Sequence, residues 1–177
     1  MQINNSDRKK WYKILSECMC AIFFIVTFMF ANSIDMAAFA EAQTDNYTQE
    51  DYQIASDAGY VKGLEFTNTV ALADYCSPSG YVPEKYINKF KLKFGKTISN
   101  ANGILEKYMT KEEIQTEVID KLHPSCIQAL DNIFNDLHSQ YGISRKQFCQ
   151  LFDGGTDDIL SDKLQILKSE RPNMYKD

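Results

Sequence analysis

The side chains able to do chemistry are few and scattered. Histidine occurs twice, as His123 and His138, and cysteine five times, as Cys18, Cys20, Cys76, Cys126 and Cys149. The one pairing with the character of an active site is Cys126 with His123. A thiol attacks as the thiolate, so it needs a base nearby or a helix N-terminus to lower its pKa. Cys126 stands three residues after His123, close to where a helix is expected to begin. The simpler reading of the same residues is a helix boundary, because Pro124 suits a first helical turn. Zinc sites need ligands in short paired spacings, and two histidines with dispersed cysteines do not provide them. No metal and no cofactor is therefore expected. The acidic stretch 153–158, DGGTDD, lacks the alternating oxygen ligands of a calcium loop. It reads as the capped start of a helix. No Gly-rich phosphate loop, paired-carboxylate signature or ordered serine–histidine–acid set stands out.

A second kind of chemistry is ionic. Lys85, Lys89, Lys91, Lys93 and Lys96 crowd a short stretch of a chain whose net charge is −5. Lys85, Lys89, Lys93 and Lys96 recur at helical spacing and share one face, with Tyr86, Phe90 and Phe94 as an aromatic stripe beside them. A basic amphipathic helix of this kind can meet an anionic membrane surface or an acidic protein partner. The plainer reading is a solvated lysine face over core aromatics, since lysine stems readily cover apolar neighbours.

The elements that must position these groups are helices. Apolar residues recur at three- and four-residue spacing, and no segment sustains the alternation of a strand. A first helix is expected over 49–75, with Thr48 and Asp51 as its capping pair and a kink near Gly59 and Gly63. A second follows Pro83 and stops at Gly95. A third spans 98–108. Thr110 with Glu113 is a capping box that opens a fourth, 111–122. A fifth, 124–141, starts at Pro124 and ends at Gly142. Ser144 with Gln147 opens a short sixth, and Gly154-Gly155 separates it from a last helix over 157–170. The expected fold is all-α, a compact bundle of six or seven short helices around one core.

Cysteine arithmetic adds one staple. If the fifth and sixth helices form a hairpin about Gly142, Cys126 and Cys149 differ in distance from the turn by ~14 Å at ~1.5 Å per residue. A disulfide needs Cα atoms within ~7 Å. That disfavours Cys126–Cys149 and leaves two pairings, of which Cys76–Cys126 is the preferred one, with Cys149 a small buried apolar residue.

The N-terminus indicates where such a bond would form. Arg8, Lys9, Lys10 and Lys13 precede an apolar run over 18–31, and Ala38-Phe39-Ala40 offers the small-x-small pattern of a cleavage site. The run is too short to span the ~30 Å hydrocarbon core as a helix. Residues 1–40 are expected to be a secretory signal peptide, 41–48 a flexible mature terminus and 49–177 the helical domain. The alternative is a chain anchored by its N-terminal segment. The domain would act in the periplasm or outside the cell.

Residues 1–40 carry one net positive charge, so the remainder is at −6. An acidic domain lacks the basic footprint of a nucleic-acid binder, and no nucleic acid is expected as partner. With a staple and no defined chemistry, the chain reads as an exported non-enzymatic protein that binds another envelope or secreted protein. A homodimer is one form of such binding. A small-ligand or lipid carrier and a thiol-dependent enzyme are the competing readings. An apolar cavity would favour the first of these, and an activated Cys126 the second.

Overall fold

The computed structural model describes residues 48–175. The signal peptide, its cleavage site and the 41–47 part of the terminus lie outside the described residues. Within them the chain is helical, with no strand. The first helix, α1 (Gln49–Phe66), begins where Thr48 accepts from the Asp51 amide while Asp51 accepts from the Thr48 amide. This reciprocal pairing satisfies amides that the first turn of a helix leaves open. No break occurs at Gly59 or Gly63, which are both buried within α1. The departure comes later. Thr67–Ala71 winds as a π-helix and leads directly into α2 (Leu72–Cys76).

The local cause lies in three consecutive polar side chains. Thr67, Asn68 and Thr69 each turn back on a carbonyl four residues earlier, that of Gly63, Leu64 and Glu65 respectively, at 2.8 Å. Such back-bonding competes with the backbone amides for helix carbonyls and distorts the winding. A Ser77–Ser79 turn of 3-10 helix ends the run at Gly80, whose φ of 72° suits glycine.

The next helix, α3 (Glu84–Leu105), merges the expected second and third helices. Gly95 was expected to end one of them. A glycine inside a helix costs about 1 kcal/mol against alanine, which weakens a helix without stopping it. Here a stripe runs unbroken on both sides of it: Tyr86, Phe90, Phe94, Ile98, Ala101 and Leu105 are buried. α3 lies antiparallel to α1, with Tyr108 beyond its end reaching Asp51 and Tyr86 near its start reaching Asn68.

The expected fourth and fifth helices also join. α4 (Lys111–Glu113) opens with the Thr110–Glu113 capping box, Ile114–Asp120 forms a second π-helix, and α5 (Lys121–Tyr141) continues from it. Pro124 therefore lies inside a helix and not at its start. Proline supplies no amide and crowds the carbonyl four residues back, here Asp120. That residue closes the π segment, where the winding is already wide. Gly142, at φ 66°, ends α5, and His138 Nδ1 contacts the Ile143 carbonyl at 2.8 Å across the turn.

The Ser144–Gln147 box opens α6 (Arg145–Gly154), and α7 (Thr156–Glu170) follows after Gly155. Among the described residues five helical runs thus stand where six or seven short helices were expected. Their core is aromatic: Tyr86, Phe90, Phe94, Phe148 and Phe152 are fully buried, with Phe90 stacked on Phe94 at 4.7 Å. Arg171 closes the end of the chain over α1, 3.1 Å from the buried Asp57.

Two substitutions in α3 should move stability in opposite directions. A Cβ at Gly95 meets nothing within 4 Å, so Gly95→Ala should stabilise by up to about 1 kcal/mol. The Tyr86 hydroxyl donates to Asn68 Oδ1 at 2.6 Å in a fully buried setting. Tyr86→Phe leaves that oxygen short of its partner and should cost about 1–3 kcal/mol. Urea denaturation of each variant beside the parent chain checks both signs.

Candidate functional site

The two π segments face a common space. A groove of about 550 Å³ opens between α1 with the first π segment, the end of α3, and the second π segment with the start of α5. Its apolar lining comes from Phe66, Val70, Ile114 and Ile119. Val70 stands 49% exposed there, a β-branched residue facing solvent from the first π segment. Single-turn departures from α geometry concentrate at functional sites in proteins, because they re-aim side chains without ending the helix.

Charged groups of both signs surround the apolar patch. Lys62 pairs with Glu65 at 2.7 Å, and Lys111 approaches Glu106 at 3.8 Å. Gln115 donates to Asp120 at 2.8 Å. At one end His123 Nε2 lies 3.2 Å from Asp74 Oδ2, and its ring meets Phe66 edge-on at 5.7 Å. The Asp74 carboxylate fixes the orientation of the imidazole ring. That pair alone carries no covalent chemistry. The lining holds no cysteine or serine, and its single hydroxyl, Thr69, is committed to the Glu65 carbonyl. The groove thus combines an apolar wall with charged rims of both signs.

The sequence-predicted residues distribute as follows. Cys76 is bonded to Cys149, with Cα atoms 5.8 Å apart, and Cys126 remains a buried free thiol. This corrects the expected Cys76–Cys126 pair. Cys126 meets the first helical run at Thr67, its sulfur 3.2 Å from the hydroxyl. Thr67 precedes Cys76 by nine residues, ~14 Å along the axis at ~1.5 Å per residue. The turn at Gly142 folds α6 back beneath α2, which brings Cys149 to Cys76. Burial pushes the Cys126 thiol above its ordinary range, and the Thr67 contact offsets this only in part. A raised thiol is the opposite of an activated nucleophile.

The lysine face is real but partly engaged within the molecule. Lys89 pairs with Asp157 at 2.8 Å, and Lys85 donates to the Asp153 carbonyl at 3.2 Å. The hydrogen bond from Lys89, with its charge and those of Lys85 and Lys93, holds the Asp157 carboxyl below the usual carboxylate range. Lys93 and Lys96 are exposed on the same helix. Asp153 is a hub that sequence reasoning treated only as part of a helix start. Its carboxylate accepts from the Tyr81 hydroxyl at 2.5 Å and the Tyr86 amide at 2.8 Å. Donation to that carboxylate raises Tyr81 to about 12.

The groove was likewise missed. The signal that could have found it is Thr67-Asn68-Thr69, three poor helix formers within a helical stripe. Among the described residues no cluster of three metal-ligating side chains occurs, and no helix is long and apolar enough to cross a membrane. No known protein family, curated protein or solved structure matches the chain.

Native protein should leave Cys126 unreactive toward an aromatic disulfide reagent at neutral pH. Denaturation without reductant should expose it, while Cys76 and Cys149 stay bonded. Rapid labelling of Cys126 in the native state would restore the thiol-enzyme reading.

Proposed function

We propose that the chain is an exported, non-enzymatic helical protein whose groove between the two π segments receives a segment of another protein. The observation that carries this is the exposed Val70 on an apolar wall edged by Lys62, Glu65, Glu106 and Lys111. An apolar patch ringed by charges of both signs suits a polypeptide, which brings both apolar and polar groups, better than an acyl chain. The buried, raised Cys126 thiol weighs against the thiol-enzyme reading. Export is supported by the basic, apolar and small-x-small order of the N-terminus, and by a cysteine pair of the kind that persists in oxidising compartments.

The test is affinity purification of the tagged full-length product from envelope and medium fractions, beside a Val70→Asp variant. A stoichiometric protein partner is expected with the parent chain. At least tenfold less should accompany the variant, whose melting temperature should stay within a few degrees of the parent's. The same mass spectra should place the mature N-terminus at Glu41. Undiminished capture by the variant would remove the groove from the reading, and a partner-free parent chain would remove protein binding itself.

A further inference from the structure

The outward face of α3 combines two features that the groove does not explain. Leu92 is 86% exposed, and it stands directly opposite the buried Phe90–Phe94 stripe. At ~3.6 residues per turn, Lys85, Lys89 and Lys96 all fall within ~60° of Leu92 around the helix. From Lys85 to Lys96 the row is ~16 Å long at ~1.5 Å per residue. A leucine almost wholly in water therefore sits in line with three exposed lysines on the outside of a long helix.

We infer that this line of Lys85, Lys89, Leu92 and Lys96 rests on an anionic lipid surface, with Leu92 entering the headgroup region. The argument is one of charge and shape. A convex helix touches a plane along a line, and all four side chains lie on that line at once. Lysines on such a line attract acidic headgroups within a Debye length of ~8–10 Å, so the overall charge of −5 does not cancel the local attraction. Their aliphatic stems, with Leu92, supply the apolar contact of an interfacial helix. Lys85 and Lys89 give up only exposed contacts, Lys85 with the Asp153 carbonyl and Lys89 with Asp157, whose side chain is 79% exposed. An acidic protein would need a pocket for Leu92 and a matching row of carboxylates, whereas a lipid surface provides both without shape matching.

The test places a reporter at the contact itself. In the full-length chain Trp11 is the only tryptophan, so Trp11→Phe with Leu92→Trp leaves one emitter on α3. Vesicles of phosphatidylglycerol with phosphatidylcholine should shift its emission to the blue, and brominated acyl chains should quench it. Pure phosphatidylcholine vesicles should do neither, even where the apolar N-terminal run carries the chain to them. Lys85→Gln, Lys89→Gln and Lys96→Gln together should lower the partition read at this tryptophan roughly 100-fold. Added salt near 1 M should do the same. A tryptophan that stays water-exposed on anionic vesicles overturns the inference, as does equal quenching on neutral ones. A response to soluble polyglutamate without one to vesicles would assign the face to an acidic polypeptide instead.

Discussion

Asn68 holds the fold at its centre. Its amide nitrogen donates to the Leu64 carbonyl within its own helix, and its oxygen accepts from the Tyr86 hydroxyl of α3. Both groups are fully buried, where an unpaired amide would be costly. The two helices can then pack only in the register that brings residue 68 to residue 86. From Tyr86 the network continues through its amide to Asp153, and so to the junction of α6 and α7. Three separate parts of the chain are aligned by polar groups set within an aromatic core that would otherwise tolerate sliding.

The same short run creates the groove. Thr67, Asn68 and Thr69 take helix carbonyls with their side chains where the winding widens, and Val70 beside them faces solvent. The second π segment, ahead of Pro124, forms the facing wall. Side chains turn back on helix carbonyls in both segments, Thr67, Asn68 and Thr69 in one and Thr116 in the other, where Pro124 also crowds the carbonyl of the last residue. α3 backs the groove at its C-terminal end and presents the lysines along its outward face, so one helix joins two surfaces of different chemistry.

Helix starts were the most legible feature of the sequence. Thr48 with Asp51, Thr110 with Glu113, and Ser144 with Gln147 each form the reciprocal bonds their spacing implies. These depend on residues three apart, so no tertiary information is needed. Helix ends were less legible. Gly95 and Pro124 carry local costs that continuous burial overrides, at Phe94 and Ile98 in one case and at Leu122 and Cys126 in the other. The disulfide was misread because it depends on the depth at which helices cross. Counting residues from Gly142 ranks one pair against another but cannot locate Cys76. The groove depends on π winding, which apolar spacing does not encode. The lysine face was visible, but its contacts with Asp153 and Asp157 join residues nearly seventy apart.

The Cys76–Cys149 bond spans 73 positions and encloses α3, both arms of the second π region and α5 within one covalent ring. A ring of that size removes much of the freedom of the unfolded chain, on the order of 4 kcal/mol in the loop-entropy description. It also changes what a single backbone cut can do. A protease that clips the turn at 107–110 opens the ring without releasing a fragment, because both pieces stay joined through sulfur. The groove walls meet on either side of that turn. The walls would remain tethered after such a cut, and only reduction of the bond would let them part.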